Sequence, residues 1–216
     1  MHARLTRNTR DAHRKAEHAL NVPLAFSSRD NYAALLARLW SVHEAYEQRL
    51  ASMDWRSQGI AFESRRRARW LAEDLAALGV PRSIPVKPLA RIATIEEGLG
   101  CLYVLEGSSL GQQILLRKAL RLPDVSVARC TRFLHGHGSS TRAMWDYFVD
   151  VLNTYPSVGN AATQIERGAL EAFRNFSVAL KQDVHPESDA ADSDSAVAGR
   201  PSDEVVIRIA REVRSG

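Results

Sequence analysis

The sequence predicts an all-α protein built as one helical domain, and three observations carry that prediction. Apolar residues recur at three- and four-residue spacing along almost the whole chain. No stretch alternates as a half-buried strand would. Helix start and stop signals fall where each periodic segment begins and ends. At 216 residues the chain is long enough for one sizeable core.

A first helix is expected over residues 5–20, followed by a loop at Pro23. Ser28 caps a second helix reaching Ala51, whose apolar face carries Tyr32, Leu35, Leu36, Leu39, Val42, Tyr46 and Leu50. A third runs over residues 62–78 and stops at Gly79-Val80-Pro81. The proline-rich residues 83–88 form a connector. Thr94 and Glu97 make a capping-box pattern that opens a long helix to Leu120. A short helix over residues 125–134 leads into a loop at 135–139, and Ser140 caps another helix to Tyr155. Pro156-Ser157 starts the last main helix, which reaches Gln182. The helical domain therefore spans 1–182. Residues 183–216 form an acidic tail, Ser/Ala/Asp-rich to residue 203 and expected to be largely disordered, with a helical turn or two at 205–213.

Composition narrows the class. No apolar run approaches the roughly 20 residues of a membrane span, and the longest candidate, residues 99–105, is cut by Glu106. The start of the chain lacks a signal-peptide core. Cys101 and Cys130 have neither metal-site nor disulfide-framework spacing, so the cytosol is the default compartment. The net charge is +4 overall, and the tail holds eight acids and four bases, which leaves +8 on the helical body. A basic body suits an anionic partner. Interleaved aromatics and base-reading motifs are missing, so nucleic acid is not favoured.

Two segments carry chemistry. Leu5, Thr9, His13 and Glu17 are each four apart and line one stripe of the first helix. A neutral imidazole is a good iron ligand, and its second nitrogen needs an acceptor that fixes tautomer and orientation. Glu17 is placed to be that acceptor, directly or through water. The same spacing also arises in a histidine that is merely exposed or packed. The long helix holds Gly98, Gly100, Gly107 and Gly111. Interior glycines cost roughly 1 kcal/mol each relative to alanine. Gly100, Gly107 and Gly111 share a face, which lets either a flat ligand or a neighbouring helix lie against bare backbone.

Together these elements resemble the heme oxygenase family. The pattern L-x-x-x-T-x-x-x-H-x-x-A-E, Leu5 to Glu17, matches its proximal-ligand helix. Residues 102–111, LYVLEGSSLG, are similar to the distal helix of its small bacterial, biliverdin-producing branch. The resemblance covers about residues 3–182. It implies a helical bundle with heme sandwiched between the proximal helix and a kinked distal helix. His13 would then be the axial iron ligand, with Gly107, Ser108 and Gly111 forming the distal surface. Arg10 matches a position that contacts a heme propionate, and Arg174 or Arg167 from the last helix would supply a second basic contact. The implied activity is oxidative cleavage of heme, both substrate and cofactor, to biliverdin, ferrous iron and carbon monoxide. It uses O2 and electrons from an external reductase or ferredoxin.

Two departures from the family pattern stand out. Ser108 stands where the larger eukaryotic enzymes carry a water-organising aspartate, and Gln112 replaces a small residue directly after Gly111. The distal helix has no histidine between Leu99 and Ala119, and its only cations there are Arg117 and Lys118. That suits self-hydroxylation of the porphyrin, because a strong distal acid–base group would favour early O–O cleavage.

The cluster Arg65, Arg66, Arg67 and Arg69 either docks an acidic electron donor or is a solvated face. A heme carrier or sensor on the same scaffold is the alternative function. A ferritin-like di-iron site lacks its paired E-x-x-H motifs, and Cys101 and Cys130 do not support a thiaminase-like site. The loop histidines His135 and His137 are a weak metal candidate.

Overall fold

The computed structural model describes residues 1–81, 92–124, 126–156 and 158–181. Eleven α-helices run through the described residues, with short 3-10 turns between them. In chain order they are α1 (His2–Asn8), α2 (Arg10–Leu20), α3 (Val22–Ala25), α4 (Arg29–Leu50), α5 (Phe62–Arg65) and α6 (Ala68–Ala77). There follow α7 (Ile95–Gly107), α8 (Gln112–Ala119), α9 (Arg132–His135), α10 (Thr141–Thr154) and α11 (Ala161–Leu180). No strand is present among the described residues. The expected connector at 83–88 and the acidic tail lie outside them.

Capping chemistry sets the main boundaries. Ser28 Oγ accepts from the Asn31 amide at 3.1 Å and starts α4. At α7, Thr94 Oγ1 accepts from the Glu97 amide at 3.3 Å, while Glu97 Oε2 accepts from the Thr94 amide at 3.3 Å. Several expectations are corrected. The first helix breaks at Thr9, whose hydroxyl bonds back to the Leu5 carbonyl at 2.8 Å. Such back-bonding competes with the helix ladder and bends it. The Pro23 loop is a helical turn, α3, with proline in its first positions. Residues 62–78 divide into α5 and α6 at Arg66, which is extended. Ser140 precedes α10 without a side-chain cap. The last helix begins at Ala161, beyond the positive-φ turn at Gly159, and not at Pro156.

The long central helix also divides. Gly107 ends α7, a 3-10 turn spans Ser108–Gly111, and α8 resumes at Gln112. Tightening to 3-10 within a helix marks a bend with a specific cause.

Two apolar clusters hold the bundle together. One gathers Leu5, Leu99, Leu102, Trp145, Phe148, Ile165 and Phe173 around the α7–α11 pair. The other gathers Tyr32, Leu36, Trp70, Leu75, Phe133 and Leu134 around α4, α6 and α9. α7 and α11 cross with backbones in contact. A Cβ on Gly100 would collide with the Ile165 carbonyl, and one on Gly168 with the Glu97 carbonyl. This close approach is the reason for Gly100, so it does not join Gly107 and Gly111 on a surface that a ligand could meet. Leu39 and Phe26 touch both clusters, and a cleft opens between them.

A candidate site between α2 and the α7–α8 bend

The cleft holds about 970 Å³ of unfilled space, open mouth included. α2 supplies His13, Ala16, Glu17 and Leu20 as one wall. Gly107, Ser108, Gly111 and Gln112 at the α7–α8 bend form another. Leu39 and His43 of α4, Phe133 of α9, and Phe173, Phe176 and Leu180 of α11 close the sides. The structure thus brings His13, Glu17, Gly107, Ser108 and Gly111 to one cavity. A flat apolar guest with polar edges suits such walls.

His13 stands edge-on to Phe173, ring centroids 5.4 Å apart. Its Nδ1 lies 3.5 Å from Glu17 Oε2, in salt-bridge range but outside hydrogen-bonding geometry. Both Glu17 oxygens are consequently buried without a donor. Burial pushes the Glu17 carboxyl up to about 7. Burial also lowers the His13 imidazole below its ordinary value, keeping it neutral and able to bind a metal. A buried carboxylate with no donor is costly. An imidazole whose Nδ1–H must be aimed explains its presence. The donor set therefore fits an iron porphyrin: one neutral nitrogen ligand with an acceptor behind it, aliphatic and aromatic walls, and glycine backbone opposite.

Gly107 faces Trp145, which a Cβ would meet at 3.5 Å, so the helix itself tolerates alanine there. The Ser108 hydroxyl does not point into open space, because it donates to the Leu105 carbonyl at 2.7 Å. Gln112 is buried, and its amide in the orientation that satisfies both ends donates to the Phe133 carbonyl at 3.3 Å. It does not crowd the cavity with an unpaired amide.

The basic candidates for propionate contact fall outside the cleft lining. Arg10 is exposed on α2. Arg174 is exposed on α11 and paired with Glu171 through Nε–Oε2 at 3.1 Å and a second contact at Nη2. Arg167 is committed to Glu97. The arginine cluster is not one docking face. Arg65 is buried against Glu106 at 2.8 Å, and Arg67 is only 2% exposed. His135 is exposed, whereas His137 packs edge-on to Trp70 at 4.8 Å. No cluster of three or more metal-ligating side chains occurs among the described residues. No helix among them is long and apolar enough to cross a membrane.

Sequence reasoning missed one cavity residue, His43. It is 1% exposed and sits edge-on to both Phe133 at 5.2 Å and Phe176 at 5.6 Å. Its Nδ1 lies 3.5 Å from Glu47 Oε1 without a hydrogen bond. Burial lowers its pKa despite the opposing pull of Glu47. The signal was available, since His43-x-x-x-Glu47 repeats the spacing of His13-x-x-x-Glu17. A histidine therefore enters the cavity from α4, although the distal helix has none.

The family model for heme oxygenase matches residues 1–182. A heme oxygenase of Xanthomonas campestris pv. campestris is 29% identical over 157 residues, covering 73% of this chain and 93% of that protein. The heme oxygenase PigA of Pseudomonas aeruginosa is 27% identical over 189 residues, covering 83% and 90% respectively. Among solved structures, the NO- and CO-bound heme oxygenase of Neisseria meningitidis superposes with a TM-score of 0.72 at 26% identity, covering 83% of this chain and 89% of that one. With this match over the helical body and a cleft of fitting chemistry, the chain belongs to the heme oxygenase family.

Proposed function

We propose that this chain binds heme through His13 and cleaves it with O2 and reducing equivalents to biliverdin, ferrous iron and carbon monoxide. The observation that carries the reading is one cavity in which a neutral histidine, backed by a buried carboxylate, faces the glycine bend of α7 and α8. When bound, heme supplies both the redox iron and the carbon that is oxidised.

The residues divide the remaining work. His13 ligates, and Glu17 accepts from its Nδ1–H and holds the tautomer. Phe173, Phe176, Phe133, Leu39 and Leu180 exclude water from the macrocycle faces. Gly107 and Gly111 let the distal backbone approach closely. The groups nearest that backbone are disarmed as acids. Ser108 Oγ donates to a carbonyl, Arg67 turns its Nη2 to the Leu105 carbonyl and Ser108, and His43 is held neutral by burial. A wall without a strong proton donor would suit oxidation of the porphyrin carbon.

Arg10 is three residues before His13 on α2, and Arg174 follows Phe173 on α11, so these exposed cations are the ones that would meet the propionates of a bound heme. Arg174 would have to leave Glu171 to do so. The electrons come from a cytosolic reductase or ferredoxin that docks on the basic helical body. The test is anaerobic hemin titration, followed by O2 and reductant. Stoichiometric uptake and biliverdin are expected. A stable complex that yields no bilin would mean a carrier or sensor instead.

A further inference from the structure

The distal bend is held from behind by a buried arginine. Arg67, at the start of α6, reaches under the 3-10 turn, its guanidinium lying over the Phe133 ring at 5.4 Å. Its Nη2 donates to the Leu105 carbonyl on the α7 side of the turn and to Ser108 Oγ at 3.1 Å. Its Nη1 donates to Gln112 Oε1 at 3.0 Å on the α8 side, in the amide orientation that also bonds the Phe133 carbonyl. Leu105 and Gln112 bracket Ser108–Gly111 completely. The cation is balanced by Glu47, whose Oε1 accepts from the Arg67 and Ala68 amides at 2.7 and 2.9 Å, and by Glu106 nearby. Bidentate geometry of this kind is specific to a planar guanidinium.

We propose that Arg67 and Gln112 are positioning residues, a clamp that fixes the bend of the distal segment and so sets the gap into which the heme slides. Gln112, the departure from the small residue of the family pattern, is then the acceptor that closes the clamp. The proposal rests on the heme reading for its purpose and on the protein alone for its geometry. The two can fail separately.

The test uses the full chain without heme first. Gln112→Ala leaves Arg67 Nη1 without its acceptor, and removing a charged hydrogen bond of this kind corresponds to about tenfold faster amide exchange in residues 108–114. Exchange in α4 and α11 stays as in the parent. Gln112→Glu keeps an acceptor for Arg67 but gives up the donor to the Phe133 carbonyl, so it restores protection in part. Arg67→Lys, with one point charge for the fork, gives partial loss, and Gln112→Ala keeps the test alive if Arg67 variants do not fold. In the heme-loaded protein reduced under carbon monoxide, the C–O stretch of Gln112→Ala broadens or shifts, and Gln112→Glu returns it toward the parent band. Unchanged exchange over 108–114 in Gln112→Ala, or loss spread evenly over the molecule, overturns the clamp. Failure of the parent to take up hemin at all overturns the functional reading and leaves the exchange result standing.

Discussion

Two histidine–glutamate pairs of identical spacing each send a histidine to the same cleft, and their surroundings give them opposite character. In both, Nδ1 stands 3.5 Å from a glutamate oxygen one turn on. Glu47 lies deep in the core, where burial alone would raise its pKa. The His43 ring and the amides of Arg67 and Ala68 outweigh burial and hold it below the ordinary carboxylate range. Glu17 has no such donors, and burial pushes it up to about 7. Their helices differ in the same way. α2 has no fully buried residue, whereas α4 buries eleven. The spacing only brings a carboxylate to an imidazole. The environment decides whether the pair is locked into the fold or left free to serve a guest.

The largest effect that would break this contrast is at Glu47. Glu47→Ala removes the acceptor of two backbone amides and a counter-charge of Arg67, and should destabilise the protein by about 3–5 kcal/mol. Glu17→Ala should leave heme-free stability unchanged or improved, since no donor is lost. Urea denaturation of the two variants compares them, and equal losses would erase the distinction.

The next effect separates the glycines. Gly100→Ala forces a Cβ into the Ile165 carbonyl at the α7–α11 crossing and should cost about 1–3 kcal/mol of stability or more. Gly107→Ala, with only Trp145 at contact distance, should cost little. Thermal melts of the two proteins decide the point.

Glu17→Ala should weaken hemin binding by about 10- to 100-fold, the usual cost of removing the acceptor behind a ligating histidine. An unchanged dissociation constant, measured by Soret titration, would deny Glu17 that role.

The smallest effect concerns pH. His137 is lowered to about 4, chiefly by burial and then by Arg67, Arg65, Arg132 and Arg69. A depressed folded pKa contributes stability that is present above about 6.5 and is lost as pH falls from there towards 4. His137→Gln should flatten that slope by on the order of 1 kcal/mol after solvent screening, as read from denaturation at pH 7 and 4.5.

Much of the fold was legible because it is written in local signals. The Thr94–Glu97 capping box and the Ser28 cap needed only neighbours in sequence, and both are present as read. The His13–Glu17 pair and the glycine bend were legible for the same reason. What sequence could not show depends on partners far along the chain. The role of Gly100 is set by Gly168 across a helix crossing. The arginine run looked like a surface, yet Arg65 and Arg67 turn inward to Glu106, Leu105 and Gln112. His43 repeats the local spacing of His13, but its place at the cavity is set by Phe133 and Phe176, far along the chain.

Two histidines border the cleft, so the central claim is that the iron ligand comes from the half-buried pair on α2 and not from the fully buried one on α4. Electron paramagnetic resonance of the hemin complexes of the parent, His13→Ala and His43→Ala decides it. The account predicts that His13→Ala loses the native nitrogen ligation and regains it with added imidazole, while His43→Ala keeps it. Ligation that survives in His13→Ala and vanishes in His43→Ala would contradict the account.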